Sequence, residues 1–550
     1  MSMFVNNLFQ EPSRRGVLQV LAAGGMVGLT GCCSIRPFAT PAIVGDVAVV
    51  GTPLKLTIRK SLQAPKLCID AHAHFFNGTD VPVRGYLAGP IAHDLDEPLR
   101  SLARSLAPLA DALVEIAPTA AEEFRDLSAR FSAMSVTGNA SSMDPFSKSS
   151  RVDDRGKRSE DFYRIVRGSE FEAQYNALKR AQRPDVKSLL PPGESSLLGP
   201  SSLLDAANAS GVSSRAKALT VDQQRIINSV PYADGILAFV NHMLSPRWHN
   251  LLDYAEAYSA AEGAFGVDHA LGSLVDFDGW LDCPPRSAQD DQVKLHQLLS
   301  MASGGYLRPL VAYNPWSDIR NNGDSLRRVK QAITERGFIG VKIYPPNGFY
   351  PYGNTSRKGS PSIGPSFRDL DRVLEALWDT CISLNVPVTA HTNNSSGKDD
   401  DFDLLGGPGG WHALLARYKD RGAPLVNLGH FGGAGGGTSW TTDFADMMAS
   451  KDGEKVYGDV GFWDALRCRD GEAPACGTAK LRLGAALQKS GVNQRVMYGT
   501  DWFMLSTQRD WADYPYELLA SIKDLPIAPD DFFGRNAQRC FASANLGRST

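Results

Sequence analysis

Cys68-Ile69-Asp70-Ala71-His72-Ala73-His74 ends an apolar run on two histidines spaced two apart. On an extended backbone that spacing sends both imidazoles to one side, so two nitrogens converge on a single point. Imidazole pairs suit Zn2+ and other first-row divalent metals, and an open catalytic site of that kind takes about three protein ligands and keeps a place for water. Three more polar residues close apolar runs in the same manner. His391 follows Val386-Pro387-Val388-Thr389-Ala390, His430 follows Leu425-Val426-Asn427-Leu428-Gly429, and Asp501 follows Val496-Met497-Tyr498-Gly499-Thr500.

The elements that must position these residues read as short apolar strands, each followed by a loop and an amphipathic helix. Eight runs qualify: 67–70, 271–277, 307–313, 337–344, 386–391, 424–430, 456–462 and 496–501. Strand and helix in alternation imply a parallel sheet with right-handed crossovers, and eight such units imply an α/β protein of the (β/α)8 TIM-barrel class. The chemistry-bearing residues then sit at the C-terminal rim of the barrel. One interruption, residues 76–264, is too long for a loop. Its pieces 98–134, 161–183 and 216–261 look helical, while 135–159 and 184–214 are rich in Ser, Gly, Pro and charge, so a mainly helical cap after strand 1 is expected. Arg247 and His249 in this cap are candidates to reach the substrate pocket, together with Tyr344 and Trp502 from the rim.

Of the 550 residues, 43% are hydrophobic and 21% charged, the balance of a globular protein with a large core. Lys and Arg total 57 against 60 Asp and Glu, a net charge of -3. That leaves no global positive field for nucleic acid, so a small-molecule substrate is the partner expected. A homo-oligomer is the other partner considered, and the sequence does not fix the oligomeric state. Ser13-Arg14-Arg15-Gly16 precedes an uncharged stretch that ends in Leu29-Thr30-Gly31-Cys32. The stretch is too short to span a bilayer and resembles a twin-arginine export signal joined to a lipoprotein box. Residues 1–31 are therefore expected to be a signal peptide, with Cys32 the lipid-attachment site of an exported, periplasmic or cell-envelope protein touching membrane through that anchor. Residues 32–66 would form a tether and a small hairpin, 67–541 the barrel and 542–550 a tail. An oxidising compartment permits disulfides, and Cys468 with Cys476 are the best-placed pair.

Asp70-Ala71-His72-Ala73-His74, His391, His430 and Gly499-Thr500-Asp501, in barrel order, resemble the amidohydrolase superfamily and more narrowly its amidohydrolase-related branch of metal-dependent hydrolases and decarboxylases. Gly534-Arg535-Asn536-Ala537 is similar to the closing helix of that branch. The resemblance implies that His72, His74, His391 and Asp501 bind one divalent metal, Zn2+ first and Mn2+ second. It also implies that His430 polarises the substrate or acts as acid or base, and that Asp501 carries protons. Lys342 stands where binuclear members bridge a second metal through a carbamylated lysine; here it is read as that ligand or as the partner of a substrate carboxylate. The reaction expected is hydrolysis of an amide, ester or lactone by a metal-activated water. Decarboxylation of a small aromatic or unsaturated acid is the alternative, and a non-catalytic surface-binding lipoprotein the alternative of another class. Asp70 is expected to orient neighbours rather than to ligate.

Overall fold

The computed structural model describes residues 43–44, 47–49, 54, 65–91, 99–137, 148–174, 236–258, 266–395, 402 and 404–546, except 280, 282–283, 360, 362–363, 365, 434–439, 469–472, 509 and 545. The signal segment with Arg14 and Arg15, Cys32 and most of 32–66 lie outside the described residues, but within that stretch Ile43–Val44 and Val47–Ala48 pair antiparallel as a small hairpin. Eight strands follow in chain order: β1 (Ile69–Ala73), β2 (His269–Ser273), β3 (Leu307–Ala312), β4 (Gly340–Ile343), β5 (Val388–His391), β6 (Val426–Gly429), β7 (Val456–Asp459) and β8 (Val496–Met497). Each pairs in parallel with the next. The sheet curls until its edges meet, where Ala71 N–H donates to Tyr498 O at 3.0 Å and Ala73 bridges Trp502. This is the parallel barrel expected, and each expected run overlaps one strand. Several strands end before the expected boundary because the chain leaves the ladder at the rim to aim polar groups inward.

Apolar burial fixes the lower end of the barrel. Ile69, Ala71, Leu271, Leu310 and Met497 pack with Ala537, Cys540 and Phe541, so the closing segment of the chain plugs the N-terminal ends of the strands. Removing such side chains from water contributes roughly 1.5–3 kcal/mol each for the larger ones. The opposite end is left to polar residues. Cys68, Cys381 and Cys540 are buried free thiols, while Cys468 and Cys476 are joined by a disulfide with Cα atoms 4.9 Å apart.

The segment after β1 is helical where described: α1 (Leu99–Leu106), α2 (Ala110–Val114), α3 (Ala120–Thr137), α4 (Lys148–Val166), α5 (Ile236–Leu244) and α6 (Arg247–Ala257). Here the structure differs from the expectation, since α4 runs through much of the stretch 135–159 read as irregular. The first half of its buried face carries Arg151, Arg155 and Arg158 at helical spacing, and among the described side chains apolar burial begins only at Phe162, Ile165 and Val166, so the hydrophobic period is missing from the part read as irregular.

His242 on α5 and His296 on α7 (Gln289–Ala302) are fully buried, and desolvation pushes both imidazoles down to about 4. In the unfolded chain they titrate near 6.5. Between those values the unfolded chain binds more protons than the folded one, so stability is lost as pH falls from 6.5 toward 4. Urea titrations at pH 7 and pH 4.5 should differ by about 2 kcal/mol for each of the two. His296→Gln should remove its share of that difference; an unchanged pH dependence in the variant would contradict the assignment.

Candidate metal centre

β1 delivers His72 and His74 to the same point, and Asp501 faces them from the turn after β8. Asp501 Oδ1 lies 3.3 Å from His74 Nε2 and 3.6 Å from His72 Nε2. Among the described residues, His72, His74 and Asp501 form a buried group whose donor atoms all lie within 4.8 Å of one another.

The hydrogen bonds behind the rings fix their tautomers. His72 Nδ1–H donates to Asp459 Oδ1 at 2.9 Å and His74 Nδ1–H to the Ser273 carbonyl at 2.9 Å, so each Nε2 presents a lone pair. His430 Nδ1–H donates to Gly461 O at 2.9 Å. Its bare Nε2 accepts from His391 Nδ1–H at 3.0 Å. His391 Nε2 is then also a lone pair, buried and without a hydrogen-bond partner among the described residues. Burial pushes His430 down to about 4 and His391 well below its usual range, which keeps both neutral. His72 Nδ1–H and the N–H groups of His430 and Gly461 hold Asp459 ionised, well below the usual carboxylate range, despite burial. The two bare imidazole nitrogens and the Asp501 carboxylate, converging on one point, fit a divalent cation, with Asp459 behind His72 as its orienting partner.

Lys342, on β4, donates from Nζ to His72 Nε2 at 2.9 Å, and burial lowers its ammonium to about 8. It therefore stands at the same point as the proposed ligands. His391, expected as a ligand, lies outside the converging group and instead faces His430 and the Tyr344 ring, whose centroid is 4.6 Å away. His430, expected as a polarising group, has both ring nitrogens committed and in this arrangement fixes the tautomer of His391.

Local backbone explains why these sequences end in this way. Asp501 and His430 adopt φ of 55° and 67°, the left-handed region that costs a non-glycine residue of order 1–3 kcal/mol and is seldom retained without a functional constraint. A Cβ at Gly499 would come 2.9 Å from His72 Cβ, and one at Gly429 would come 2.8 Å from His72 Cε1. Both positions must be glycine for the imidazole to fit. Thr500 Oγ1–H donates to Asp70 Oδ2 at 2.5 Å, and Tyr254 O–H donates to the same oxygen at 2.6 Å. Asp70 Oδ1 accepts from the N–H groups of His72 and Thr500, both at 3.0 Å. Asp70 thus ties β1 to β8 as the orienting residue expected; desolvation raises its carboxyl to about 7.

Asp459 was not apparent in the sequence. It carries no paired-ligand spacing, and its signal is its place at the end of β7. It also accepts from His430 N–H and Gly461 N–H, at 3.1 and 2.9 Å. Three expected pocket residues sit elsewhere or serve differently. Arg247 is wholly buried against Asp80 and Glu123. His249 accepts from Arg158 within the cap. Trp502 packs in the core against Phe75, Tyr254 and His242. Tyr344 stays at the rim, with its hydroxyl 2.5 Å from Ser395 Oγ.

No protein-family model and no curated protein matches the sequence. Among solved structures, the chain is similar to an amidohydrolase from Burkholderia multivorans with bound zinc (12% identity, 50% of this chain and 84% of that one, TM-score 0.33). It is also similar to 2,6-dihydroxybenzoate decarboxylase from Rhizobium (15% identity, 56% and 92%, TM-score 0.33). A third is an uncharacterised TIM-barrel protein from Bordetella bronchiseptica (14% identity, 58% and 88%, TM-score 0.35). The strand ladder, read from this chain's own hydrogen bonds, makes it an eight-stranded parallel β/α barrel with a polar C-terminal rim.

Proposed function

We propose that this chain is a metal-dependent hydrolase of the amidohydrolase type, acting on an amide, ester or lactone. The observation that supports it is the inward convergence of His72 Nε2, His74 Nε2 and Asp501 Oδ1, each free of protons, at the C-terminal end of the barrel. His72, His74 and Asp501 would hold one divalent cation, zinc before manganese, with His391 Nε2 the further donor nearby. Such a cation, when bound, supplies Lewis acidity that makes water a nucleophile near neutral pH. The Asp501 carboxylate takes a proton from the attacking water and returns it to the leaving nitrogen or oxygen. Asp459 holds His72 in the Nδ1–H tautomer throughout, and His430 does the same for His391. Tyr344, stacked beside His391, borders the space a substrate would enter. Lys342, which bonds His72 here, would move to pair a substrate carboxylate.

Elemental mass spectrometry on protein purified without chelator or nickel affinity should find about one zinc or manganese per chain, lost in His72→Ala. Metal-free protein that still hydrolyses its substrate would overturn the reading. Two metals per chain would instead make Lys342 a bridging ligand. Esters, lactones, amides and carboxylates are screened in parallel, and carbon dioxide release without hydrolysis would replace the hydrolase by a decarboxylase.

The export reading belongs to the same proposal and rests on Arg14, Arg15 and Cys32 of the sequence. No helix among the described residues is long and apolar enough to cross a membrane. Cys32→Ser should shift the protein from the membrane to the soluble fraction of its native host. Unchanged membrane attachment would sink the lipid anchor.

A further inference from the structure

Two residues back from His391 and Gly429, on the same faces of β5 and β6, stand Thr389 and Asn427. The two are register partners on adjacent strands, and both are fully buried, as is Asp459 at the end of β7. The Asn427 amide spans its neighbours: Nδ2 donates to Asp459 Oδ2 at 2.8 Å and to Thr389 Oγ1 at 3.4 Å. Both amide protons are thereby used. Turned end for end, the amide would set Oδ1 against a carboxylate oxygen with no proton between them, so the orientation is fixed by chemistry.

Asn427 Oδ1, by contrast, is buried and has no hydrogen-bond partner among the described residues. An unmade acceptor in the interior costs stability. Packing alone does not call for it, since leucine has nearly the outline of asparagine and no polar atom to leave unpaired. What asparagine adds at this position is the donor toward Asp459. Asp459 Oδ1 accepts from His72 Nδ1–H at 2.9 Å, His430 N–H at 3.1 Å and Gly461 N–H at 2.9 Å, while Oδ2 takes its hydrogen bond from Asn427. A carboxylate tied at both oxygens resists turning about its Cβ–Cγ bond. The acceptor for His72 Nδ1–H then stays in place, and His72 Nε2 keeps its lone pair toward Asp501 and His74.

We propose that Asn427 is a positioning residue of the metal centre: by holding Asp459 Oδ2 it fixes the carboxylate that sets the tautomer and aim of His72. Its effect on metal affinity rests on the hydrolase reading, whereas its effect on the His72 ring does not.

Two measurements on the full-length protein test it. The first is the dissociation constant for Zn2+, read by competition with a chromophoric chelator. Asn427→Leu is expected to bind zinc at least about tenfold more weakly, within the roughly 10–100-fold that losing a group behind a metal ligand costs. In an Asp459→Asn background the same change should cost less than about threefold, because no carboxylate is left to anchor; a residue needed only for packing would cost as much in both. The second is 15N NMR of the metal-free protein with labelled histidine, in which native His72 shows the Nδ1–H tautomer alone and Asn427→Leu shows a mixture. Should Asn427→Leu fail to fold, Asn427→Ser, whose one hydroxyl proton can serve Thr389 or Asp459 but not both, is expected to give smaller losses of the same kind. Zinc affinity unchanged by the substitution, or lowered equally in both backgrounds, overturns the proposal. Should the native protein bind no zinc, the hydrolase reading fails and the tautomer decides: a mixture in the variant supports the positioning role, and an unchanged Nδ1–H tautomer overturns it.

Discussion

Asp501→Asn is expected to lower kcat/KM by about 10³-fold on whichever substrate the screen identifies, while the protein stays folded. The amide has nearly the shape of the carboxylate, so packing is preserved. It loses the negative charge that faces His72 Nε2 and His74 Nε2, and it cannot carry a proton between water and leaving group. Metal content should fall in the same variant, because one of the proposed ligand oxygens has become neutral. Steady-state kinetics and elemental analysis on the same preparation separate the two losses. An Asp501→Asn enzyme within tenfold of the native rate would remove Asp501 from proton transfer. A full metal complement with that rate loss would confine its role to the proton.

Arg247→Met is expected to destabilise the fold by roughly 3–5 kcal/mol, a large share of the total for a protein of ordinary stability. Arg247 Nε donates to Asp80 Oδ2 at 2.8 Å, Nη1 to Glu123 Oε2 at 2.9 Å and Nη2 to Thr79 Oγ1 at 2.9 Å. These partners lie just after β1 and on α3, and Arg247 begins α6, so one side chain joins the barrel to two cap helices. Removing it leaves Asp80 and Glu123 buried with their main cation gone, a larger loss than the pair's own net attraction. Urea unfolding monitored by tryptophan fluorescence measures the effect. A loss below about 1 kcal/mol would show that the two carboxylates find protons or other donors without strain. Adding Asp80→Asn to the variant should recover part of the loss.

The sequence made the barrel legible because its strands are buried on both faces and so appear as short apolar runs between amphipathic helices. Four of those runs lead to histidines and an aspartate at the rim; His72, His74 and Asp501 converge there, while His391 pairs with His430 beside them. What failed to show was anything defined by tertiary partners. Asp459 has no distinguishing neighbour in the chain, and only the folded barrel brings its carboxylate to His72. Arg247 and His249 looked like free polar groups reaching from the cap; the fold buries them against Asp80, Glu123 and Arg158, residues far off in sequence. Helix α4 escaped for a related reason. The first half of its inner face is arginine, so there the periodicity that marks most helices is carried by charge instead of hydrocarbon.

Thr500 and Asp70, bonded to each other in the finished barrel, are separated by 430 residues. A ribosome adding about 5–20 residues per second therefore needs roughly 20–90 s between making the first strand and the last. For all of that time His72 and His74 have no Asp501 to face, Asp70 lacks its Thr500 partner, and the first strand has at least one open edge. The metal capture we propose is thus an event of the completed chain, and anything that guards the growing one, a chaperone or the emerging cap, must shield that edge for the whole of that interval.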